Sequence, residues 1–267
     1  MKPQESQPVV GGYSNEWKRQ PVAGGNHWFQ RDSGLNVLRT NGQDQTSFRR
    51  LAPRVLQIGL LTPCNLDCSF CYRDLNAPSL LTTEFLVNLL RQADEWGVAE
   101  VAFGGGEPLM FRGFTELLRE LHSSTRLGLN FTTNGTLLTP SILDDVTEYV
   151  GEIRLSAYQS NHYRRTLKQA AARQAKVGIN WLVTPEHIGM IEPFVADVLQ
   201  LGATNVLLLG YKGPRSELLL DESEMSRLRK SLERLHDLPI LLDICWHPLL
   251  KLNFDSSLPE FGAALLA

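Results

Sequence analysis

The sequence lacks two features that would place the protein at a membrane. No apolar run reaches the roughly 18 residues of a membrane span, and residues 1–7 contain no hydrophobic segment typical of a signal peptide. An excess of positive charge is also missing, because 26 Lys and Arg residues face 29 Asp and Glu residues. Dedicated nucleic-acid-binding proteins usually carry a basic stripe. We therefore expect a cytoplasmic protein that binds neither membranes nor nucleic acids.

Cysteine is scarce, but three of the four cysteines in the chain, Cys64, Cys68 and Cys71, share one short segment. A [4Fe–4S] cluster takes four ligands, one per iron, so three thiolates leave one iron open to a substrate or cofactor. A structural zinc site needs a fourth ligand, and the nearest downstream histidine is His122. A disulfide would leave one thiol over. The C-x3-C-x2-C spacing favours an open-site cluster, with zinc, a disulfide or chance as alternatives.

Glycine is concentrated after the next candidate strand, where Gly104, Gly105 and Gly106 precede Glu107. A backbone without Cβ atoms can approach a ligand closely, and the Glu107 carboxylate suits a cation such as an amino group. An ordinary glycine turn at the end of a strand is the alternative. The position of this segment, at the same end of neighbouring parallel strands as the cysteines, favours a ligand site.

Apolar runs alternate with helical patterns along the chain, as in a parallel α/β protein. The predicted strands are residues 54–61, 98–104, 127–133, 152–158, 178–184, 204–210 and 239–246. The predicted helices are residues 82–96, 113–122, 140–150, 162–177, 190–201 and 221–236. Six strand–helix units and a trailing seventh strand therefore follow one another, and the length of 267 residues suits an α/β barrel.

The two motifs resemble those of radical S-adenosylmethionine (SAM) enzymes, which carry CxxxCxxC after the first barrel strand and Gly-Gly-Glu after the second. The resemblance covers about residues 54–212. It implies a partial (β/α)6 TIM-like barrel, open on one side, and a [4Fe–4S] cluster on Cys64, Cys68 and Cys71 whose open iron is chelated by SAM. The implied chemistry is reductive cleavage of SAM to a 5′-deoxyadenosyl radical that abstracts a substrate hydrogen.

The resemblance also implies a set of SAM contacts. The candidate positions are Tyr72, Gly104, Gly105, Gly106, Glu107, Thr133, Asn134, Ser156 and Val183. Thr133 and Asn134 are included because they end the third strand, where barrel active sites lie, and a Thr-Asn-Gly turn is the alternative. The backbone of Tyr72 is expected to contact the adenine, the glycines and Glu107 to hold the methionine ammonium, and Ser156 to approach the ribose or methionine end. Val183 is the nearest candidate beside the adenine, on a strand that departs from the family's Gly-x-Ile-x-Gly-type pattern.

Three basic residues near these positions have two interpretations each, and a fourth has one. Arg164 or Arg165 is a candidate for the cofactor carboxylate, and Lys212 for a substrate contact, but exposed positions on a helix or loop are the alternative. Arg154 is interpreted as a solvated strand residue.

Three regions are predicted: a partly mobile N-terminal extension (1–50), the barrel core (51–215) and a C-terminal helix and strand extension (216–267). Residues 35–39 are predicted to form a short strand that caps the barrel floor, with a peptide contact as the alternative. Cys245 follows the last strand. In peptide-modifying relatives a lone cysteine there precedes an auxiliary-cluster region, which is absent here, so the chain is either a short variant or part of a longer enzyme.

The pattern is closest to the peptide-modifying branch, so the expected substrate is a ribosomally made peptide. A small-molecule enzyme of nucleoside or cofactor biosynthesis is the alternative, because no auxiliary cysteines follow. A non-catalytic iron–sulfur partner protein is a third possibility. The implied chemistry needs an electron donor such as flavodoxin or ferredoxin.

Overall fold

The computed structural model describes residues 17–22, 25–40, 52–71, 73–74, 77–158, 160–243 and 246. Two sheets form in this part of the chain. The first contains three antiparallel strands, β1 (Trp17–Val22), β2 (Gly25–Gln30) and β3 (Leu35–Thr40), with β2 in the centre. The second is the parallel sheet that the sequence predicts.

The parallel sheet contains seven strands that lie side by side in chain order. They are β4 (Val55–Leu61), β5 (Glu100–Gly105), β6 (Gly128–Thr133), β7 (Glu152–Ser156), β8 (Val177–Val183), β9 (Asn205–Gly210) and β10 (Ile240–Leu242). The connecting helices are α1 (Thr83–Trp96), α2 (Phe114–Ser124), α3 (Pro140–Thr147), α4 (Tyr163–Ala171), α5 (Ile191–Gln200) and α6 (Glu222–Arg234). Within the described residues β4 and β10 are unpaired edges, so the sheet is open. The predicted α/β fold is confirmed.

Capping residues explain why the helices begin and end where the sequence predicts. The Thr82 side chain accepts a hydrogen bond from the first turn of α1, and Gly97 ends that helix in the left-handed conformation, with φ of 103°. Helix α6 opens with a capping box in which Asp221 and Glu224 each accept from the other's backbone N–H. These local signals are independent of tertiary packing, so they can be read from the sequence.

The parallel sheet has two chemically different faces. Leu129 and Phe131 belong to the outer face, which is buried against the helices. The residues that alternate with them form the inner face. From β4 to β9 the inner face comprises Gln57, Gly59, Glu100, Ala102, Gly104, Asn130, Thr132, Glu152, Arg154, Ser156, Gly178, Asn180, Leu182, Asn205, Leu207 and Leu209. It is polar across β5 to β7 and becomes apolar towards β9.

Arg154 is part of a hydrogen-bonded network on the inner face. Its guanidinium donates to Glu152 at 2.7 Å, to Asn180 at 2.7 Å and to Asn205 at 3.0 Å. Its side chain is 15% exposed. The interpretation of Arg154 as a solvated strand residue is therefore wrong, because two neighbouring strands supply acceptors that a single strand pattern does not reveal.

The antiparallel sheet packs against the amino-terminal ends of the parallel strands. Phe29 is buried over Gly128, the first residue of β6, where an added Cβ would lie 2.8 Å from the Phe29 ring. Arg31 donates to the carbonyl of His122 at 2.8 Å, and Lys18 donates to Asp94 and to a neighbouring carbonyl. These contacts favour the expected floor cap over a peptide contact.

The strand β1 was not anticipated by the sequence pattern. Its buried positions alternate, but two of them are the polar residues Lys18 and Gln20. Hydrophobic periodicity therefore gives no signal there. The division into three regions stays a proposal, since residues 1–16, 41–50, Cys245 and 247–267 lie outside the described residues.

Removing the Phe29 ring is expected to separate the two sheets. Because the ring is 1% exposed, Phe29→Ala should lower the free energy of unfolding by about 3–5 kcal/mol. Urea unfolding monitored by circular dichroism measures this. Leu38→Ala is the matched control on β3, where the side chain is 47% exposed, and should cost less than about 0.5 kcal/mol. Equal effects of the two substitutions would contradict the floor-cap assignment.

No helix within the described residues is both long enough and apolar enough to cross a membrane.

Candidate metal and cofactor site

Three thiols face a shared space in the loop after β4. Cys64, Cys68 and Cys71 are free, and the backbone N–H of Cys71 donates to the carbonyl of Cys68 at 2.8 Å, forming a tight turn. Burial raises the pKa of the Cys68 thiol, and the neighbouring Cys64, Cys71 and Asp67 raise it further. Without a positive group the Cys68 thiol therefore stays protonated, and a bound metal would favour its thiolate form.

The donor type of the loop, three cysteine thiols, is the one that iron–sulfur clusters use. Among the described side chains, no three His, Cys, Asp or Glu groups converge as ligands of one metal ion do. In a [4Fe–4S] cluster each cysteine ligates a different iron, so the sulfurs surround the group instead of meeting at a point. Cys64, Cys68 and Cys71 would hold three irons, and the fourth would remain open.

The glycine segment after β5 braces this cysteine loop. The N–H of Gly106 donates to the carbonyl of Leu61 at 2.7 Å, and that of Glu107 donates to the carbonyl of Pro63 at 3.1 Å. A Cβ on Gly106 would lie 1.7 Å from the Pro63 oxygen. The glycine run therefore allows the backbone to approach the protein's own cysteine loop. From the sequence, the run was expected to allow the close approach of a ligand.

Gly105 and Gly104 differ in what surrounds them. Gly105 has φ of +120°, and a Cβ there would meet the Leu61 carbonyl oxygen at 2.5 Å. A Cβ on Gly104 would meet no atom within 4 Å. Gly104 is thus the member of the run that borders open space, on the inner face.

Glu107 ties the end of β5 to the end of β6. Its carboxylate accepts from the Thr133 hydroxyl at 2.7 Å, from the Asn134 N–H at 2.8 Å and from the Leu109 N–H at 3.2 Å. Burial raises the pKa of Glu107, and these three hydrogen bonds oppose the shift. A carboxylate has about four acceptor positions. Glu107 is 1% exposed, so its carboxylate is bonded within the protein, and the contact with an ammonium group stays a prediction.

Asn134 connects Glu107 to the cysteine loop. Its side-chain amide donates to the sulfur of Cys64 at 3.6 Å and to Asn65 at 2.9 Å, and Asn65 donates in turn to Thr136 at 2.7 Å. Hydrogen bonds to ligating sulfurs tune the potential of an iron–sulfur cluster. The sequence predicted Asn134 as a SAM contact, and its contact with the sulfur was missed because an Asn-Gly pair is also a common turn.

Ser156 is hydrogen-bonded to Tyr158, which lies near the cysteine loop. The sequence did not identify Tyr158 as a site residue. Burial, together with the neighbouring cysteines, raises the pKa of Tyr158 to about 12. A hydrogen bond from Ser156 opposes this shift. The Tyr158 ring centroid is 5.0 Å from that of Phe70. Asn161 fixes this corner by donating to the carbonyls of Ser156 and Asn134 at 2.6 and 2.7 Å.

The remaining predicted residues lie in different settings. Val183 is fully buried in the helix-facing core, so its side chain does not reach the inner face. Arg164 bonds to Asp197 between helices, at 2.8 Å. Lys212 pairs with Asp243 at 2.7 Å, where β9 and β10 end. Tyr72 lies outside the described residues.

Replacing Glu107 with glutamine is expected to destabilise the site. The amide would aim N–H groups at the Asn134 N–H, leaving one buried donor unsatisfied, which costs about 1–3 kcal/mol. Chemical unfolding of the cluster-free protein gives the change in free energy. Glu84→Gln, in the exposed first turn of α1, is the control and should change stability by less than about 0.5 kcal/mol. Equal stability of Glu107→Gln and wild type would contradict the bonded geometry.

Comparisons with known proteins agree with this geometry. Residues 61–182 match the domain described as "Radical SAM superfamily". A probable GTP 3′,8-cyclase of Methanocella arvoryzae is 39% identical over 85 residues, which cover 31% of this chain and 27% of that protein. Molybdenum cofactor biosynthesis protein 1 of Drosophila melanogaster is 35% identical over 113 residues, 40% of this chain and 20% of that protein. The chain thus spans less than a third of these curated relatives.

Solved structures show the same fold at low identity. Streptococcus suis SuiB bound to S-adenosylmethionine has a TM-score of 0.68 and 14% identity, covering 91% of this chain and 76% of that chain. SuiB bound to precursor peptide SuiA has a TM-score of 0.62 and 17% identity, covering 78% and 54%. The tagged enzyme anSMEcpe with bound AdoMet has a TM-score of 0.58 and 16% identity, covering 76% and 68%. The domain match and the shared fold are consistent with the radical SAM superfamily, whose enzymes use a [4Fe–4S] cluster and SAM.

Proposed function

We propose that the protein cleaves SAM reductively at a [4Fe–4S] cluster held by Cys64, Cys68 and Cys71, and that it modifies a ribosomally made peptide. The observation that carries the first part is the thiol loop, which is braced against Gly105 and Gly106 at the carboxyl ends of parallel strands. When bound, the cluster supplies the electron that splits SAM into methionine and a 5′-deoxyadenosyl radical, which abstracts a substrate hydrogen.

The chain's own residues position this chemistry. The N–H of Gly106 holds the start of the cysteine loop against the end of β5. The side-chain amide of Asn134 donates towards the Cys64 sulfur. Glu107 holds Asn134 in place through its backbone N–H. The polar edge formed by these residues would bind the methionine part of SAM, as the family resemblance implies. The Gly104 region leaves room beside it.

Two features favour a peptide as the substrate. The inner face becomes apolar where Leu182, Leu207 and Leu209 lie half-buried in adjoining strands, which suits a hydrophobic side chain. The inner-face arginine Arg154 is paired with Glu152 at 2.7 Å, so its charge is not available to a polyphosphate. A likeness to SuiB, one of whose structures contains precursor peptide SuiA, agrees with this proposal.

The second candidate is a small-molecule enzyme. It is favoured by the sequence relatives, which are named probable GTP 3′,8-cyclases and are up to 39% identical over the shared 85 residues. That segment covers 31% of this chain and less than a third of each relative. It therefore says less about the substrate than the inner face does.

Anaerobic reconstitution with iron and sulfide, followed by incubation with SAM and a strong reductant, tests the activity. Mass spectrometry should detect 5′-deoxyadenosine in proportion to time. Iron-loaded protein that forms none would leave the non-catalytic iron–sulfur protein as the better account. Separate reactions with GTP and with a peptide encoded beside the gene then test the substrate. Conversion of GTP, with the peptide unchanged, would overturn the peptide assignment.

A further inference from the structure

Arg73 lies over the inner face, two residues after the last cysteine. One guanidinium nitrogen, Nη2, is 3.1 Å from the position of a Cβ on Gly59, and Nη1 is 3.8 Å from it. Gly59 pairs with Gly104 in the neighbouring strand. The absence of a side chain at Gly59 therefore makes room for the guanidinium, close to the open space beside Gly104.

The Arg73 guanidinium lacks a partner in the described part of the chain. Its Nε is buried and makes no hydrogen bond. A half-buried cation without an acceptor is costly, because it has lost water and gained nothing in return. A protein retains such a group where a ligand supplies the missing acceptors.

The acidic groups that might neutralise Arg73 are already bonded to other residues. Glu100 pairs with Arg54 at 2.7 Å, and Glu152 pairs with Arg154 at 2.7 Å. The three hydrogen bonds of the Glu107 carboxylate come from Leu109, Thr133 and Asn134. None of these three carboxylates bonds to Arg73, so the buried Nε has no acceptor among them.

We propose that Arg73 binds a carboxylate of the substrate. The inference rests on the proposed function, since it assigns the substrate to the inner face beside the SAM site. A planar guanidinium presents two parallel N–H groups that match the two oxygens of a carboxylate. One unpaired arginine balances one carboxylate, whereas a triphosphate needs several cations. The substrate class is therefore a peptide that carries an acidic side chain, or a free C-terminus, near the reacting residue.

Protection from chemical modification tests this without knowledge of the natural substrate. Iron-loaded wild-type protein is treated anaerobically with phenylglyoxal, which modifies accessible guanidinium groups, and modification of each arginine is followed by peptide mass spectrometry. The probes are N-acetylglutamate α-amide and its neutral isostere N-acetylglutamine α-amide, each with and without SAM. Arg91, which pairs with Glu120 on exposed helices, is the internal control.

With SAM present, the acid at about four times its dissociation constant should slow modification of Arg73 about fivefold. The amide should have no effect on Arg73, and neither probe should affect Arg91. Equal protection by acid and amide, or an Arg73 that phenylglyoxal does not reach, would overturn the proposal. Full protection by SAM alone would overturn it too, because the guanidinium would then bind the cofactor's carboxylate. Assaying 5′-deoxyadenosine in the same preparation shows separately whether the proposed function has failed.

Discussion

Cys68→Ala is expected to leave the protein unable to hold iron and to lower 5′-deoxyadenosine formation by more than about 100-fold. In the proposed cluster three thiolates would bind three of the four irons, and each would be the sole protein ligand of its iron. Loss of Cys68 would leave a second iron without a protein ligand. Iron and sulfide analysis after reconstitution measures the first effect, and mass spectrometry of the nucleoside product measures the second.

A matched cysteine serves as the control for Cys68→Ala. Cys245→Ala removes the one thiol that the family resemblance leaves out of the cluster, so iron content and SAM cleavage should stay close to wild type. Cys68 itself is only half-buried, and the cluster-free Cys68→Ala protein should unfold at nearly the wild-type temperature. Retention of both iron and SAM cleavage by Cys68→Ala would contradict the cluster assignment.

The strands and helices of the parallel sheet are predictable because their signals are local. Apolar runs mark the strands, and residues such as Thr82 and Asp221 mark the helix starts. The motif at Cys64, Cys68 and Cys71 is equally local. By contrast, the partners of Arg154 come from two other strands, and a single strand pattern contains no information on which neighbours a side chain will meet.

Residues near the site differ in how far the sequence predicts their positions. Val183 shares the apolar face of β8 with Ile179 and Trp181, and the structure turns this face towards the helices, so the alternation along the strand already points away from a SAM contact. Asn65 was not singled out, although it bonds to Asn134 across the loops. For Asn65 the sequence identifies the loop that forms the site, and tertiary packing decides which side chains meet there.

Gly106→Ala is expected to displace the cysteine loop and to destabilise the protein by more than about 3 kcal/mol. The new Cβ would lie 1.7 Å from the Pro63 carbonyl oxygen and 2.6 Å from that of Thr62. Both are backbone atoms, so no side-chain rotation relieves the clash. Cys64 directly follows Pro63, and a shifted backbone there would move its sulfur away from the Asn134 amide. Iron content after reconstitution should therefore fall together with the unfolding temperature.

Gly104→Ala is the control for this substitution, because it adds the same methyl group two residues away, where no atom lies within 4 Å. It should leave stability and iron content near wild type. If SAM occupies the open space beside Gly104, the same substitution should weaken SAM binding, measured by equilibrium dialysis of the iron-loaded protein. Similar losses of stability and iron in both variants would mean that the glycine run serves backbone conformation in general. Loss confined to Gly106→Ala would mean that close contact between β5 and the cysteine loop fixes the cluster ligands.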